Sequence, residues 1–194
     1  MIDSLIELDR TLFLALNELH APWLDPIMYW VSDTAIWLPL YAFLLYHVVK
    51  LPRSRALVAV LCIAAGITMA DQLSSKLIRP HVQRPRPTRD LQISSQVHTV
   101  NGYRGGQFGF PSSHAANTFC AAMLLTLILR QRWLLWLFAW ATVVSYSRVY
   151  LGVHDPGDIL VGALLGSACG WIAFRLYMSG CRLSEKLIAE KKGR

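Results

Sequence analysis

Residues 147–166 read SRVYLGVHDPGDILVGALLG. One strongly apolar segment ends on Ser147-Arg148, a short turn carries His154, and Pro156-Gly157-Asp158 opens the next apolar segment. Proline just inside a helix start is a reliable beginning signal. The stretch therefore reads as two helices that leave and re-enter an apolar medium on one side. Working outward, the pattern predicts five spanning segments, at roughly 34–49, 56–75, 113–129, 133–150 and 157–178. Some fall short of the ~20 residues a helix needs to cross the hydrocarbon core, as expected of helices whose polar ends frame a protein-lined pocket. The expected fold is all-α, an integral membrane helical bundle forming one membrane-embedded domain over residues 1–194.

Composition agrees. The 194 residues are 54% hydrophobic and only 16% charged, with a mean hydropathy of +0.38. Soluble domains carry roughly 25% charged residues. The net charge of +7 raises nucleic acid as a partner, but no basic helix or aromatic single-strand platform accompanies it, so none is expected. Cys62, Cys120, Cys169 and Cys181 show neither paired nor metal-ligand spacing and read as packing residues. Asp3, Glu7 and Asp9 stand where a secretory signal would carry basic residues.

Residues 1–32 form a separate N-terminal segment. Leu5, Leu8, Leu12, Leu16 and Leu19 recur at helical spacing, with Glu7, Arg10 and Asn17 on the other face. This predicts an amphipathic helix lying in the membrane interface. Pro22 and Pro26 break the chain before Trp30 and Trp37, which read as interfacial anchors. Lys50, Arg53 and Arg55 join the first two spans, Arg130 and Arg132 join the third and fourth, and Arg182, Lys186, Lys191, Lys192 and Arg194 populate a basic tail over 180–194. Five spans place these groups on one side, which the positive-inside rule makes cytoplasmic. Six of the twelve acidic residues precede position 34, with Arg10 as the only base there. The loop 79–112 and the turn near 150–156 then face outward, which predicts a bacterial cytoplasmic membrane protein with its polar face extracytoplasmic.

That face holds the chemistry. The proline-rich run from Arg79 to Pro87 reads as a stiff extended segment projecting guanidiniums, which are always charged and can grip two oxygens at once. Gly102, Gly105, Gly106 and Gly109 follow without P-loop spacing and read as a flexible approach. Pro111-Ser112-Ser113-His114 opens the third span, where a serine cap and a helix N-terminus suit an anion and His114 could give a proton. Asp158 lies four residues after His154, close enough to fix one ring nitrogen and free the other for attack. Singly, each block has a plainer reading: a headgroup-binding basic loop, a capped helix, a structural His–Asp pair. Three blocks at one membrane face argue for a phosphate site.

Together they resemble the signature of the type 2 phosphatidic acid phosphatase superfamily: Lys, six residues, Arg-Pro; then Pro-Ser-Gly-His; then Ser-Arg, five residues, His, three residues, Asp. The third part matches at Ser147, Arg148, His154 and Asp158. The second matches except that Ser113 replaces glycine, and the first matches in spacing at Arg79, Arg86 and Pro87, with Arg79 in the lysine position. Lys76 is one residue too far from Arg84-Pro85 to substitute. The resemblance implies a membrane lipid phosphatase in which His154 is the nucleophile, Asp158 orients it, and His114 protonates the leaving oxygen. It also implies that Arg79, Arg86, Arg148, Ser112 and Ser113 hold the phosphoryl group. No metal or other cofactor is expected, because the arginines supply the charge, and His81 and His98 make no metal set. Asp71 is expected to pair with a loop base or cap a neighbouring helix, Gly162, Gly166 and Gly170 to allow close helix packing, and Arg175 to snorkel. The partners expected are the bilayer and a lipid phosphate, with undecaprenyl pyrophosphate the first choice. Lipid A phosphate, phosphatidylglycerol phosphate and phosphatidic acid, a lipid phosphotransferase, and an anionic-lipid-binding scaffold are the alternatives. Oligomeric state is not legible.

Overall fold

The computed structural model describes residues 2–192, so Arg194, at the end of the basic tail, lies outside the described residues. Eight helical pieces follow in order: α1 (Ile2–Asn17), α2 (Asp25–Ser32), α3 (Leu38–Val49), α4 (Arg53–Gln72), α5 (Arg79–Val82), α6 (Ser113–Leu129), α7 (Trp136–Tyr150) and α8 (Pro156–Lys192). Among the described residues the only β pairing is a single bridge between Pro85 and Phe108. The five expected spans are all present as helices. Arg53–Val82, with 30 residues, and Pro156–Glu190, with 35, are each long and apolar enough to cross a bilayer. α2 and the helix Thr34–Val49 form a pair bent by 72°, while α6 has 17 residues and α7 has 15.

α6 is the central helix, with α4, α7 and α8 packed around it. Lipid gives helices little hydrophobic reason to associate, so close packing of small residues has to hold them. Gly162, Gly166 and Gly170 supply it, as expected. A Cβ on Gly162 would lie 2.5 Å from the Ser112 carbonyl oxygen, one on Gly170 2.7 Å from that of Cys120, and one on Gly166 would overlap the Ala116 carbonyl. The lower core joins Leu44 and Val48 to Leu124, Leu125, Leu137 and Ala173. At that end Arg55 pairs with Glu185 at 2.7 Å, and Lys50 and Gln131 border one cavity, so the basic connections gather as the sequence predicts. α8 runs on through the tail: its 37 residues span about 55 Å at 1.5 Å per residue, far more than the ~30 Å hydrocarbon core.

Two expectations are corrected. The segment from Arg79 is helical over Arg79–Val82 and extended only beyond it, where Pro85 bridges Phe108 and Arg86 has φ −70° and ψ 154°. α4 passes through a π-helical turn at Leu73–Ile78 directly into α5, and only at Gln83, in the left-handed region, does the helix end. Pro80 lacks the N–H an α-helix would need there, and the wider π turn accommodates it. The second correction concerns α1. Its leucines Leu5, Leu8, Leu12 and Leu19 are exposed, as an interfacial helix requires, but Phe13 and Asn17 are fully buried. The Asn17 amide donates to the Val149 and Tyr150 carbonyls at 3.2 and 2.9 Å, and its oxygen accepts from the His98 N–H at 2.8 Å. Of the polar face of α1, Asn17 and Arg10 dock on protein while Glu7 stays exposed.

Candidate active site

α7 ends at Tyr150, and Gly152, at φ +73°, turns the chain back so that α8 starts at Pro156. His154 hangs in that turn, buried. Its Nδ1 lies 3.1 Å from Asp158 Oδ2, one helical turn into α8. The same carboxylate oxygen accepts from the Asp155 N–H at 3.2 Å, and Oδ1 accepts from Arg84 Nη1 at 3.2 Å. With Nδ1–H given to a carboxylate, the tautomer is set and Nε2 carries the lone pair. Burial, then the charges of Arg86, Arg148, Arg79 and Arg84, hold the His154 pKa well below its ordinary value. The ring is neutral at physiological pH, the form a nucleophile needs.

Three arginines converge here from three elements. Arg79, at the top of the α4–α5 helix, donates from Nη2 to the Pro111 carbonyl at 2.9 Å and to Ser113 Oγ at 2.7 Å. Arg86, in the following loop, donates from Nε to the Phe108 carbonyl at 3.1 Å. Arg148, at the end of α7, reaches the Ser32 hydroxyl and the Tyr103 hydroxyl, the latter at 3.0 Å. Each keeps one buried N–H without a protein partner: Arg79 Nε, Arg86 Nη1 and Arg148 Nε. Burial, and then the nearby Arg148 and Arg79, lower the Arg86 pKa to about 10. Buried like charges are tolerated only beside a compensating anion, and three spare donors match a tetrahedral oxyanion.

Of the two serines expected to grip phosphate, Ser112 is otherwise engaged. Its hydroxyl caps α6 by accepting from the Ala115 N–H, and its own N–H donates to the Asp158 carbonyl at 3.0 Å. Ser112 therefore locks α6 to α8. Ser113 sits between Arg79 and the Ser74 hydroxyl, which donates to it at 3.0 Å. His114, in the first turn of α6, borders two adjoining cavities, one of about 340 Å³ and one of about 230 Å³ that also touches Arg148 and Tyr103. His81 and His98 stand apart, His98 bonding Asp25 at 2.9 Å.

Several participants were not legible. Arg84 is held by three carboxylates, Asp9 at 2.6 Å, Asp155 at 3.0 Å and Asp158 at 3.2 Å. Burial opposes its charge, but Asp155, Asp158 and Asp9 hold its pKa above the ordinary value. Burial and then Asp158 push Asp155 up to about 8. Asp9 comes from α1 and also accepts from the Gly157 N–H at 2.8 Å, so the N-terminal helix buttresses the start of α8 and, through Arg84, Asp158. Gly109 is not part of a loose approach: a Cβ there would sit 2.7 Å from Asp158 Oδ2 and 3.5 Å from His154 Nδ1. Among the described residues Asp71 pairs with no loop base. It accepts from Asn117 Nδ2 at 3.3 Å and faces the larger cavity, as does Trp37, placed by sequence at the interface. Arg175 stacks over Trp171 at 5.3 Å.

Comparison with known proteins points the same way. The family model described as the PAP2 superfamily matches residues 55–179. A lipid A 4'-phosphatase of Bacteroides thetaiotaomicron is 43% identical over 177 residues, covering 90% of this chain and 79% of that one. An undecaprenyl-diphosphatase of Sulfolobus acidocaldarius is 29% identical over 177 residues, covering 84% and 74%. The crystal structure of Aquifex aeolicus LpxE superposes with a TM-score of 0.64 at 25% identity, covering 87% of this chain and 95% of that one.

Proposed function

The chain belongs to the PAP2 superfamily, and on that premise we propose that it removes phosphate from lipid A through a phosphohistidine on His154. It is an integral membrane hydrolase of lipid phosphates. Undecaprenyl pyrophosphate, the first choice from sequence, gives way to an alternative, because the more similar relative is a lipid A 4'-phosphatase and the undecaprenyl-diphosphatase is more distant.

The observation that carries the reading is a buried, carboxylate-oriented imidazole, 3.1 Å from Asp158, under three arginines with spare donors. His154 Nε2 attacks phosphorus, forming an N–P bond as the P–O bond to the lipid breaks. His114 gives its proton to the departing lipid oxygen. Arg79, Arg86 and Arg148 stabilise the charge gathering on the equatorial oxygens. Water then attacks phosphorus, passing a proton to His114, and the N–P bond breaks to release phosphate. Asp158 holds the ring throughout, and Arg84 with Asp9 holds Asp158. The site works at the extracytoplasmic face of a bacterial cytoplasmic membrane, where a lipid phosphate lies at headgroup depth.

The test is phosphate release from lipid A by the purified protein, with an alkaline denaturing quench to trap phosphoprotein that is stable in base and labile in acid. Wild type should release phosphate, and His154→Ala should give neither turnover nor trapped phosphate while remaining folded. Turnover by His154→Ala would remove the phosphohistidine, and no release from lipid A would remove the substrate.

A further inference from the structure

Below the arginines lies a cavity that hydrolysis itself does not use. Its volume, about 340 Å³, falls in the range of small-molecule sites, about 300–1,000 Å³. Ser113 and His114 border its upper end; Asn117 and Ala121 lie one and two turns down α6, about 6 and 12 Å farther along the helix. Between Tyr41, Ile67, Ala121 and Trp140 it adjoins an aliphatic slot of about 160 Å³. The order from the membrane edge inward is phosphate site, mixed cavity, apolar slot.

Three polar groups line the mixed cavity, and two of them lack partners. The Asp71 carboxylate is bonded to the Asn117 amide at 3.3 Å and to the Ser75 hydroxyl at 3.4 Å. Asn117 Oδ1 and Trp140 Nε1 are buried with no partner. Around them stand aromatic rings: Trp37 and Tyr41 meet Trp140 edge-on at 5.7 and 6.1 Å. A carboxylate there would repel phosphate, so it does not serve the phosphoryl oxygens. An isoprenyl chain would leave Asn117 Oδ1 and Trp140 Nε1 unpaired and desolvated, and would offer Asp71 no donor beyond Asn117 and Ser75. Two acceptors, one donor and aromatic walls fit a group carrying hydroxyl or amide functions, such as a sugar ring or an N-acyl linkage.

We propose that Asp71, Asn117 and Trp140 form a headgroup subsite that selects lipid phosphates bearing a hydroxyl- or amide-functionalised group between the phosphate and the chains. The inference rests on the lipid phosphatase reading above and narrows its substrate. The test compares kcat/KM of the purified full chain on two lipids with such groups, lipid A and phosphatidylglycerol phosphate, and two without, phosphatidic acid and undecaprenyl pyrophosphate. Wild type should favour the first pair. In Asp71→Asn the ratio between the pairs should fall at least tenfold, and in Trp140→Phe, which keeps an aromatic six-membered ring and loses the pyrrole ring with its N–H donor, at least threefold, mainly through KM. Equal losses on both pairs, or an unchanged ratio in both variants, would overturn the subsite, as would a wild type that prefers the donor-free lipids. A wild type that ignores lipid A yet prefers phosphatidylglycerol phosphate would overturn the lipid A assignment alone.

Discussion

Gly109→Ala should slow the protein without unfolding it. The added methyl would lie 2.7 Å from Asp158 Oδ2, against the 3.4 Å at which contact becomes ordinary. Neither side can yield freely. The carboxylate is held by His154, the Asp155 N–H and Arg84. The loop is held by the Gly109 N–H donating to the Arg84 carbonyl at 2.9 Å and by Arg86 Nε on the Phe108 carbonyl. A retreat of roughly 0.7 Å, if taken along the 3.1 Å bond to His154, would open it to about 3.8 Å, past hydrogen-bond length. Overpacking of this kind costs about 1–3 kcal/mol. If that strain is relieved by releasing Asp158, kcat falls roughly 5- to 160-fold, at 1.36 kcal/mol per decade. The assay is steady-state phosphate release beside thermal unfolding, with Gly106→Ala as the control, since nothing lies within 4 Å of a Cβ there. Wild-type kcat in Gly109→Ala, or an equal loss in Gly106→Ala, would refute the reasoning.

Other expectations follow from the same geometry. His114→Ala should slow cleavage of a lipid phosphate far more than of an activated aryl phosphate, whose leaving group needs little protonation; equal losses would remove His114 from the acid role. Arg79→Lys keeps the charge but loses the planar fork that bonds Pro111 and Ser113. Inhibition by vanadate should weaken by about 1–3 kcal/mol and by more in Arg79→Ala; near-wild-type inhibition in the alanine variant would exclude Arg79 from the site. A cysteine at exposed Ser95 should react with an impermeant thiol reagent in intact cells, and one at exposed Gln131 only after the membrane is opened; the reverse pattern would invert the topology.

What the sequence made legible was what depends on local spacing. His154 and Asp158 are four residues apart and meet within one turn, and the apolar runs are long enough to declare themselves as helices. Counting to Arg86 preferred Arg79 to Lys76, and the fold puts Arg79 against Pro111 and Ser113. What stayed hidden depends on which distant surfaces touch. Periodicity gave α1 two faces but could not say that Asp9 and Asn17 meet protein while the leucines face outward. The proline at position 80 argued for an extended chain because the rule assumes α-helical register, which the π turn relaxes. Gly109 looked like a hinge residue because closeness to Asp158 is a fact of the folded loop. Asp71 and Asn117, on different helices, share a cavity only once α4 and α6 have packed.

The glycine seam between α6 and α8 has a mechanical consequence. His114 rides on one helix and Asp158 on the other, and Ser112 pins the two together at the top through its N–H to the Asp158 carbonyl. Gly166 and Gly170 lie one and two turns farther down, at Ala116 and Cys120. With the upper end fixed, the seam acts as a lever whose fulcrum is Ser112. A methyl group wedged at Gly166 would splay the lower arms and rotate the first turn of α6, swinging His114 away from the phosphorus in the attack proposed for His154. The tolerance of the catalytic gap is thus set some way into the bilayer, by residues that never approach the substrate's phosphate.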